Sequence, residues 1–298
     1  MSFPDWIAVD WGTTNLRVWA MSNDGSELHH RISDAGMSNL EQDEFEPELS
    51  ALIGDWLGEI PMPVICCGMV GARQGWLEAP YRTTPCSPFA SEGLIPVPTS
   101  DPRLQVHILA GIQQKKPADV MRGEETQIAG LLAGNPGFDG VACLPGTHTK
   151  WVHISAGEIV SFQTFMTGEM FSLLAGQSVL RHCVDTDSWD DAAFLEAAND
   201  AISSPEMFAA RLFSLRAQSL IADLPAASAR ARLSGLLIGL ELAASKPYWL
   251  GQAVAVIGAG HLAKIYGQAL GAQGVTPDSF NVKQVTVAGL TLAKGQIT

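Results

Sequence analysis

The sequence has few basic residues and no cluster of them. Lys and Arg together number 18, against 31 Asp and Glu, which gives 298 residues a formal net charge of -13. Proteins that bind nucleic acid usually present a basic face, so the composition argues against that class. A small anionic ligand remains compatible with the charge, because backbone amides, a few arginines or a metal ion can bind one locally.

Cysteine motifs and long apolar runs are also missing. The five cysteines are odd in number and lack the CxxC spacing of zinc or redox sites, which predicts reduced cysteines in a cytoplasmic protein. The first residues lack a basic stretch followed by an apolar one, so no signal peptide is predicted. No run of eighteen apolar residues predicts a membrane span. We expect a soluble cytoplasmic protein without a membrane partner.

The first motif lies in residues 7–19, where an apolar run ends in Asp10 and a second apolar run follows after a short polar turn. This pattern predicts strand, turn, strand. Gly12 lets a ligand approach the backbone, and the amides and hydroxyls of Thr13 and Thr14 can point at one anion. Asp10 could hold a cation that is bound to that anion.

Residues 141–165 repeat this layout. Gly146 and Thr147 follow the first Gly-Thr pair by 134 positions, Lys150 comes shortly after, and a hairpin and a third strand follow as in the first half. Internal similarity of this kind indicates a duplicated fold. It predicts two lobes, each with a phosphate-binding turn, that clamp a nucleotide from two sides. No GxxxxGK[ST] sequence is present, so the chain is not a P-loop protein.

The segment 68–80 follows a buried strand and carries Arg73, Gln74 and Trp76 among three glycines. One interpretation is a flexible loop with a surface arginine. The other is a substrate loop at the end of a strand, where open α/β sheets usually bind ligands. In that case Arg73 could bind a carboxylate with two hydrogen bonds, and Gln74 could bond to hydroxyls.

Glu124 and Glu125 precede an apolar helical stretch and therefore belong to its first turn. They are explained either by favourable charge at a helix N-terminus or by a general base at the entrance of a cleft. Both explanations stay open.

Towards the end, Gly258 and Gly260 follow an apolar strand in a GxGxxA pattern. Only 38 residues follow Gly260, too few for a dinucleotide domain, so we interpret the pattern as a strand-to-helix turn where a base or ribose lies close to the backbone. Residues 185–245 are predicted to be helical, with residues 185–187 as a helix cap, and residues 284–290 as a last strand.

Together these segments resemble the 2-dehydro-3-deoxygalactonokinase family of the actin/hexokinase/Hsp70 superfamily. The resemblance spans the chain and rests on VDWGTTNLR (9–17), GMVGARQGW (68–76), RGEETQ (122–127), LPGTHTKW (144–151) and FMTGE (165–169). It implies an α/β, two-lobed actin/hexokinase-like (ribonuclease H-like) fold with a mixed five-stranded sheet in each lobe. The lobes are expected at residues 1–122 and 123–298.

The resemblance also implies ATP-dependent phosphorylation of 2-dehydro-3-deoxy-galactonate, a small sugar acid, on its terminal hydroxyl. Asp10 would orient Mg²⁺ through water. Glu124 or Glu125 would be the general base, with Asp10 as the rival; Arg17 or Arg73 would bind the substrate carboxylate, with Gln74 and Trp76 beside the sugar. The expected ATP-binding residues are Gly12, Thr13, Thr14, Gly146, Thr147, Lys150, Gly258 and Gly260.

Two alternatives remain from the same superfamily. One is a phosphatase for polyphosphate or guanosine tetraphosphate-type substrates, which the net charge of -13 disfavours. The other is a non-enzymatic, actin-like ATP-binding protein. The sequence leaves open the epimer of the sugar acid and the oligomeric state.

Overall fold

A computed structural model describes residues 3–297, in which strands and helices alternate in the manner of an α/β protein. The strands are β1 (Trp6–Trp11), β2 (Leu16–Met21), β3 (Glu27–Ser33), β4 (Met62–Gly68), β5 (Tyr81–Thr83), β6 (Leu94–Pro96), β7 (Leu104–Leu109), β8 (Gly111–Lys115), β9 (Ala118–Met121), β10 (Gly140–Leu144), β11 (Thr149–Ser155), β12 (Glu158–Phe165), β13 (Val254–Gly258) and β14 (Asp278–Asn281). The helices are α1 (Phe45–Ile53), α2 (Glu124–Gly134), α3 (Thr167–Gln177), α4 (Asp191–Ser203), α5 (Phe208–Ile221), α6 (Ala226–Ala244), α7 (Lys246–Trp249), α8 (Gly260–Ala272) and α9 (Val282–Lys294).

The chain divides into two compact units. Unit 1 comprises the described parts of Met1–Phe138 and Val282–Thr298 together with Ser155–Ser161, and unit 2 comprises Asp139–Ile154 and Phe162–Asn281. This division differs from the predicted boundary after residue 122. Helix α2 packs on α9, and α9 packs on β1 and β4, so both helices belong to unit 1.

The main sheet of unit 1 has the order β3-β2-β1-β4-β7-β6. Strands β1 and β2 are antiparallel, whereas β1 pairs with β4 and β4 with β7 in parallel. The sheet has six strands instead of the predicted five, because the short β6 adds to the edge beside β7. A separate small sheet has the order β5-β8-β9.

Both faces of β1 are covered, which explains its nearly continuous apolar sequence. Because successive side chains point to opposite faces of a strand, Ile7, Val9 and Trp11 join a core cluster with α1. Trp6 and Ala8 join a second cluster with the end of α9. The polar turn that follows β1 is thus held by a strand that is anchored on both sides.

The sheet of unit 2 has the order β12-β11-β10-β13-β14. Strand β10 is antiparallel to β11 and parallel to β13, which is parallel to β14. This repeats the β3-β2-β1-β4-β7 arrangement of unit 1, so the predicted duplication is confirmed.

Two predictions about secondary structure are wrong. Residues 284–290 lie in helix α9, whose buried positions Val285, Thr286, Gly289, Leu290 and Ala293 follow helical spacing. The cap of α4 is Asp190, whose side chain accepts hydrogen bonds from the amides of Ala192 and Ala193, and not residues 185–187. No helix within residues 3–297 has both the length and the apolar character to cross a membrane.

Candidate active site

The turn after β1 presents unpaired donors. Gly12 closes it by donating its N–H to the carbonyl of Asn15 (2.9 Å). Thr13 and Thr14 are exposed, and none of residues 3–297 accepts a hydrogen bond from their amides or hydroxyls. Gly36 packs directly against the backbone of both threonines, where a Cβ would overlap them. The turn is therefore held from behind while its donors remain available for an anion.

Asp10 lies near the end of β1 and is its one partly exposed residue. Its side chain is paired with that of Arg17 on the neighbouring strand β2. The Arg17 Nη1 atom lies 3.0 Å from Asp10 Oδ2, and the aspartate side chain is 17% exposed. Burial raises the pKa of Asp10 above its usual range, and the charge and hydrogen bond of Arg17 oppose this effect. Asp10 therefore reaches solvent as a partly buried carboxylate whose cationic neighbour favours ionisation.

Three of the predicted motifs meet at Gly68 in unit 1. A Cβ at Gly68 would lie 2.6 Å from the Trp11 carbonyl oxygen and 3.5 Å from Asp10 Oδ1. A Cβ at Gly123 would lie 3.3 Å from the Gly68 Cα. Both glycines have positive φ angles, 90° and 107°, that other residues rarely adopt. This contact brings the Gly-Glu-Glu run next to the end of β1.

The two glutamates of that run have different environments. Glu125 is 2% exposed, and its two carboxylate oxygens accept the Gly123 N–H at 2.7 and 2.9 Å. Burial, reinforced by the charge of Glu124, raises the pKa of Glu125 to about 7. Glu124 is only half-buried, and its Oε2 accepts the Arg122 N–H at 3.0 Å. Glu125 thus caps the start of α2, and Glu124 is the member of the pair that solvent reaches.

The residues of the predicted substrate loop also differ in their exposure to solvent. Arg73 and Gln74 are exposed, and neither forms a hydrogen bond or ion pair with any residue in the described part of the chain. Trp76 is 8% exposed and packs against Trp11 and Phe45, with ring centroids 6.2 and 6.5 Å away. The expectation that Trp76 covers the sugar conflicts with this position, because the ring is part of the unit 1 core.

Unit 2 contains a cavity of about 550 Å³, a size that suits a small-molecule ligand. Gly146 and Thr147 line it together with Thr167 and Gly168 at the start of α3. Trp189 and His261 line it too, with ring centroids 4.3 Å apart in an edge-to-face arrangement. The cavity therefore combines a Gly-Thr turn, a helix N-terminus and aromatic surfaces.

The turn before β11 is held by the start of α3. Gly168 packs against the Gly146 carbonyl so closely that a Cβ would overlap it, and the Glu169 N–H donates to the Thr147 carbonyl at 2.9 Å. Thr147 itself is exposed. A helix N-terminus favours anions because its first amides have no partner within the helix.

The remaining residues predicted to contact the nucleotide do not line the cavity. Lys150 is 6% exposed, and its ammonium donates to Thr164 at 2.9 Å. Gly258 ends β13 and Gly260, with φ at 57°, begins α8, so the predicted strand-to-helix turn is confirmed. None of these three residues lines the cavity, whereas His261, next to Gly260, does.

Comparison with known proteins identifies the family of the chain. The family model for 2-keto-3-deoxy-galactonokinase matches residues 10–293. The chain belongs to the 2-keto-3-deoxy-galactonokinase family. It is 35% identical to the 2-dehydro-3-deoxygalactonokinase of Escherichia coli K12, over 90% of both chains. It is 38% identical to a Rhizobium meliloti protein provisionally named 2-dehydro-3-deoxygalactonokinase, over 97% of this chain and 96% of the relative.

A solved structure extends the agreement to the fold. A Sinorhizobium meliloti protein with a provisional 2-dehydro-3-deoxygalactonokinase assignment matches with a TM-score of 0.91 and 37% identity, over 98% of this chain and 99% of its own. Three more distant structures, at 16% identity or less and TM-scores of 0.50, share the fold alone. The chain has the actin/hexokinase-like fold of these proteins.

Kinases of this kind use Mg²⁺ with ATP, and the residues fit a weakly held ion. Among the described residues, no three His, Cys, Asp or Glu side chains cluster closely enough to hold a metal ion by themselves. Mg²⁺ is often held by one or two carboxylates together with substrate phosphates and water. Asp10, a single accessible carboxylate beside a turn with free donors, fits that mode of binding.

Three residues in or near these sites were not among the site residues predicted from the sequence. Arg122 is 8% exposed and stacks over Tyr81 at 4.3 Å, and none of residues 3–297 accepts a hydrogen bond from its Nε or Nη1. Arg230 lines the cavity of unit 2. Glu241 lies behind the cavity wall, bonded to Thr167. Arg122 could have been identified, because it lies in the motif that contains Glu124. Arg230 and Glu241 are isolated charged residues of helix α6, and no sequence pattern marks them.

Proposed function

We propose that the chain transfers the γ-phosphoryl group of ATP to the terminal hydroxyl of 2-dehydro-3-deoxy-D-galactonate and forms the 6-phosphate. The observation that carries this proposal is the family match over residues 10–293, joined to a cavity of about 550 Å³ beside a Gly-Thr turn. The relatives named as this kinase cover nearly the whole chain, which supports the same activity here.

The nucleotide is assigned to the cavity of unit 2. The Thr147 hydroxyl and the amides of Thr167 and Gly168, the first two of α3, would bind phosphate oxygens, whereas the Glu169 N–H is already donated to the Thr147 carbonyl. The edge-to-face pair of Trp189 and His261 offers a flat surface to the base and ribose. Gly260 would contribute by positioning its neighbour His261 in the cavity wall. Lys150 would bind the phosphates only after its ammonium gives up its hydrogen bond to Thr164.

Phosphoryl transfer depends mostly on positioning and on charge stabilisation. Asp10 would hold Mg²⁺ through water, and the ion, when bound, neutralises charge on the phosphates. The free donors of Thr13 and Thr14 would bind phosphate oxygens. Asp10 keeps its contact with Arg17 in this role, because only Oδ2 is bonded to the guanidinium.

Arg73 is the better candidate for the substrate carboxylate. It is exposed and has no partner in the described residues, whereas Arg17 is engaged with Asp10. A guanidinium binds a carboxylate through two parallel hydrogen bonds, and Gln74 next to it can bond to a sugar hydroxyl.

Glu124 is the better candidate for the general base. The hydroxyl oxygen attacks the γ-phosphorus, the bond to the oxygen that bridges the β- and γ-phosphates breaks, and the hydroxyl proton passes to a carboxylate. Solvent reaches Glu124, whereas Glu125 is 2% exposed and committed to the Gly123 N–H. Asp10 remains the rival because it also reaches solvent.

The test is a coupled assay of ADP formation with ATP, Mg²⁺ and a panel of 2-keto-3-deoxy acids, followed by NMR of the product. ADP formation that requires 2-dehydro-3-deoxy-D-galactonate, with phosphate on its terminal oxygen, supports the proposal. Phosphate release without any acceptor would favour the superfamily phosphatase instead. Tight ATP binding without turnover would favour an ATP-binding protein of the actin type.

The proposal also includes a cytoplasmic location. The five cysteines are unpaired, and four of them are buried, as expected for a protein that folds in a reducing compartment.

A further inference from the structure

Glu241 is a buried carboxylate in an otherwise apolar stretch of α6. It is 2% exposed, and its Oε1 accepts the indole N–H of Trp151 at 2.8 Å. Its Oε2 accepts the hydroxyls of Tyr266, at 2.8 Å, and of Thr167. The Tyr266 oxygen also lies 2.9 Å from the Thr149 hydroxyl. Every residue of this network belongs to unit 2.

The carboxylate fixes the direction of each hydrogen bond in the network. An indole N–H only donates, and an ionised carboxylate only accepts, so Oε1 faces Trp151 and Oε2 receives both hydroxyl protons. Tyr266 has then donated its proton, so the bond between Tyr266 and Thr149 must use the Thr149 proton. The lone pairs of Thr167, not its proton, are left for other partners.

Two of these hydroxyl groups form part of the cavity wall. Thr167 and Tyr266 both line the cavity. Thr167 is also the first residue of α3, and the next two residues hold the Gly-Thr turn: Gly168 packs against Gly146, and the Glu169 N–H donates to Thr147. A change at Glu241 can therefore reach the turn through Thr167.

We propose that Glu241 is a positioning residue for the nucleotide, which it serves by fixing Thr167 and Tyr266 and, through Thr167, the Gly146-Thr147 turn. This inference rests on the proposed binding of ATP in the cavity of unit 2. Glu241 itself touches neither the nucleotide nor the sugar acid.

Glu241→Gln tests the proposal with almost no change in volume. The amide oxygen must face the Trp151 N–H, so the amide NH₂ faces Thr167 and Tyr266, and both hydroxyls must turn to accept from it. We expect the Kd for ADP and the KM for ATP to rise about 3- to 10-fold, the loss of one or two ordinary hydrogen bonds. The KM for the sugar acid and kcat should change less than about twofold.

Thr149→Val is the matched control. Thr149 is as buried as Glu241 and belongs to the same network, but it does not line the cavity. Its replacement should lower stability but weaken ADP binding less than Glu241→Gln does, because the bonds of Glu241 to Thr167 and Tyr266 remain. Measurements at pH 8, above the pKa of about 7 to which burial raises the Glu241 carboxyl, keep the wild-type network in its ionised form.

A second pair of variants keeps the test valid if Glu241→Gln does not fold. Thr167→Ser retains the hydroxyl that Glu241 binds and should bind ADP more tightly than Thr167→Val, which should show the weakened binding expected of Glu241→Gln. If both single variants fold, adding Thr167→Val to Glu241→Gln should weaken ADP binding little further, because Glu241 acts on the turn through Thr167.

Titration calorimetry with ADP tests the proposed nucleotide site and the proposed role of Glu241 separately. If the wild type does not bind ADP, the nucleotide assignment of the cavity fails. If the wild type binds ADP and Glu241→Gln binds it with an unchanged Kd, or if Thr149→Val weakens binding as much, the role of Glu241 is overturned and the proposed function stands.

Discussion

The two units present the same turn with different charged groups at its base. In unit 1 the turn follows β1, and the ion pair of Asp10 and Arg17 joins the two strands at its base. In unit 2 the turn follows β10, and the residues that pair at its base are Leu144 and Lys150. Each turn is held from behind by a glycine that follows the third strand, Gly36 or Gly168.

The two units differ in how far their carboxylates are exposed to solvent. Unit 1 leaves Asp10 and Glu124 within reach of solvent. Unit 2 buries Glu241 behind the cavity wall, where it accepts three hydrogen bonds. In the proposed function the duplicated scaffold thus serves two tasks: unit 1 would supply the reactive and metal-binding groups, and unit 2 would supply the nucleotide cavity.

The largest expected effect comes from the accessible carboxylate of unit 1. Glu124→Gln should lower kcat by about 10²–10⁴-fold while ATP still binds, because the general base is lost. Glu125→Gln is the matched control, since it changes the neighbouring residue in the same helical turn but removes no accessible group; its kcat should stay within about tenfold. Near-normal turnover of both variants would transfer the role of base to Asp10, which Asp10→Asn would then test.

Arg73→Ala should act on one substrate only. A charged hydrogen-bond partner contributes about 1.5–3 kcal/mol, so the KM for the sugar acid should rise roughly 10- to 100-fold. The KM for ATP should stay unchanged, because the nucleotide is assigned to unit 2. Arg73→Lys should recover part of the loss by restoring charge without the two-pronged geometry. An equal rise in both KM values would contradict the division of tasks between the units.

The two supporting glycines allow a direct comparison of the turns. Gly168→Ala places a Cβ on the Gly146 carbonyl and should cost about 1–3 kcal/mol, with weaker ADP binding. Gly36→Ala should cost a similar amount but weaken ADP binding less than Gly168→Ala does, because the cavity of unit 2 is unchanged. Gly176→Ala is the control in the same helix as Gly168, because a Cβ at Gly176 would have no atom of another residue within 4 Å. Thermal unfolding and calorimetry measure both effects.

Local patterns in the sequence predicted the repeated strand-turn-strand units, the loop at Arg73 and the helix that begins at Glu124. Each is encoded within about ten residues by apolar runs, glycines and acidic first turns. The prediction failed for α9, because the Val- and Thr-rich stretch 284–290 is too short for its periodicity to separate strand from helix, and packing on α2 decides.

The Glu241 network could not be predicted for a different reason. Trp151 is 90 positions from Glu241 and Thr167 is 74 positions away, so no local pattern joins them. The position of Trp76 could not be predicted either: its motif is glycine-rich, and only the tertiary structure shows that the ring packs on Trp11.

The smallest expected effect compares the two buried glutamates by pH. Burial raises the pKa of both Glu125 and Glu241 from 4.5 to about 7. The folded state then holds these protons more tightly than the unfolded state, so stability falls as pH rises from about 4.5 to about 7 and levels off above it. Each residue contributes at most roughly 3 kcal/mol to this fall.

Replacing either glutamate by glutamine removes that dependence. The difference in melting temperature, variant minus wild type, should therefore increase from pH 5 to pH 7.5 for both Glu125→Gln and Glu241→Gln. Only Glu241→Gln should also weaken ADP binding, because Glu125 belongs to unit 1. If the difference in melting temperature does not change with pH for one variant, the wild-type carboxyl at that position is ionised throughout this range. Its hydrogen-bond donors then stabilise the ionised form more than burial destabilises it.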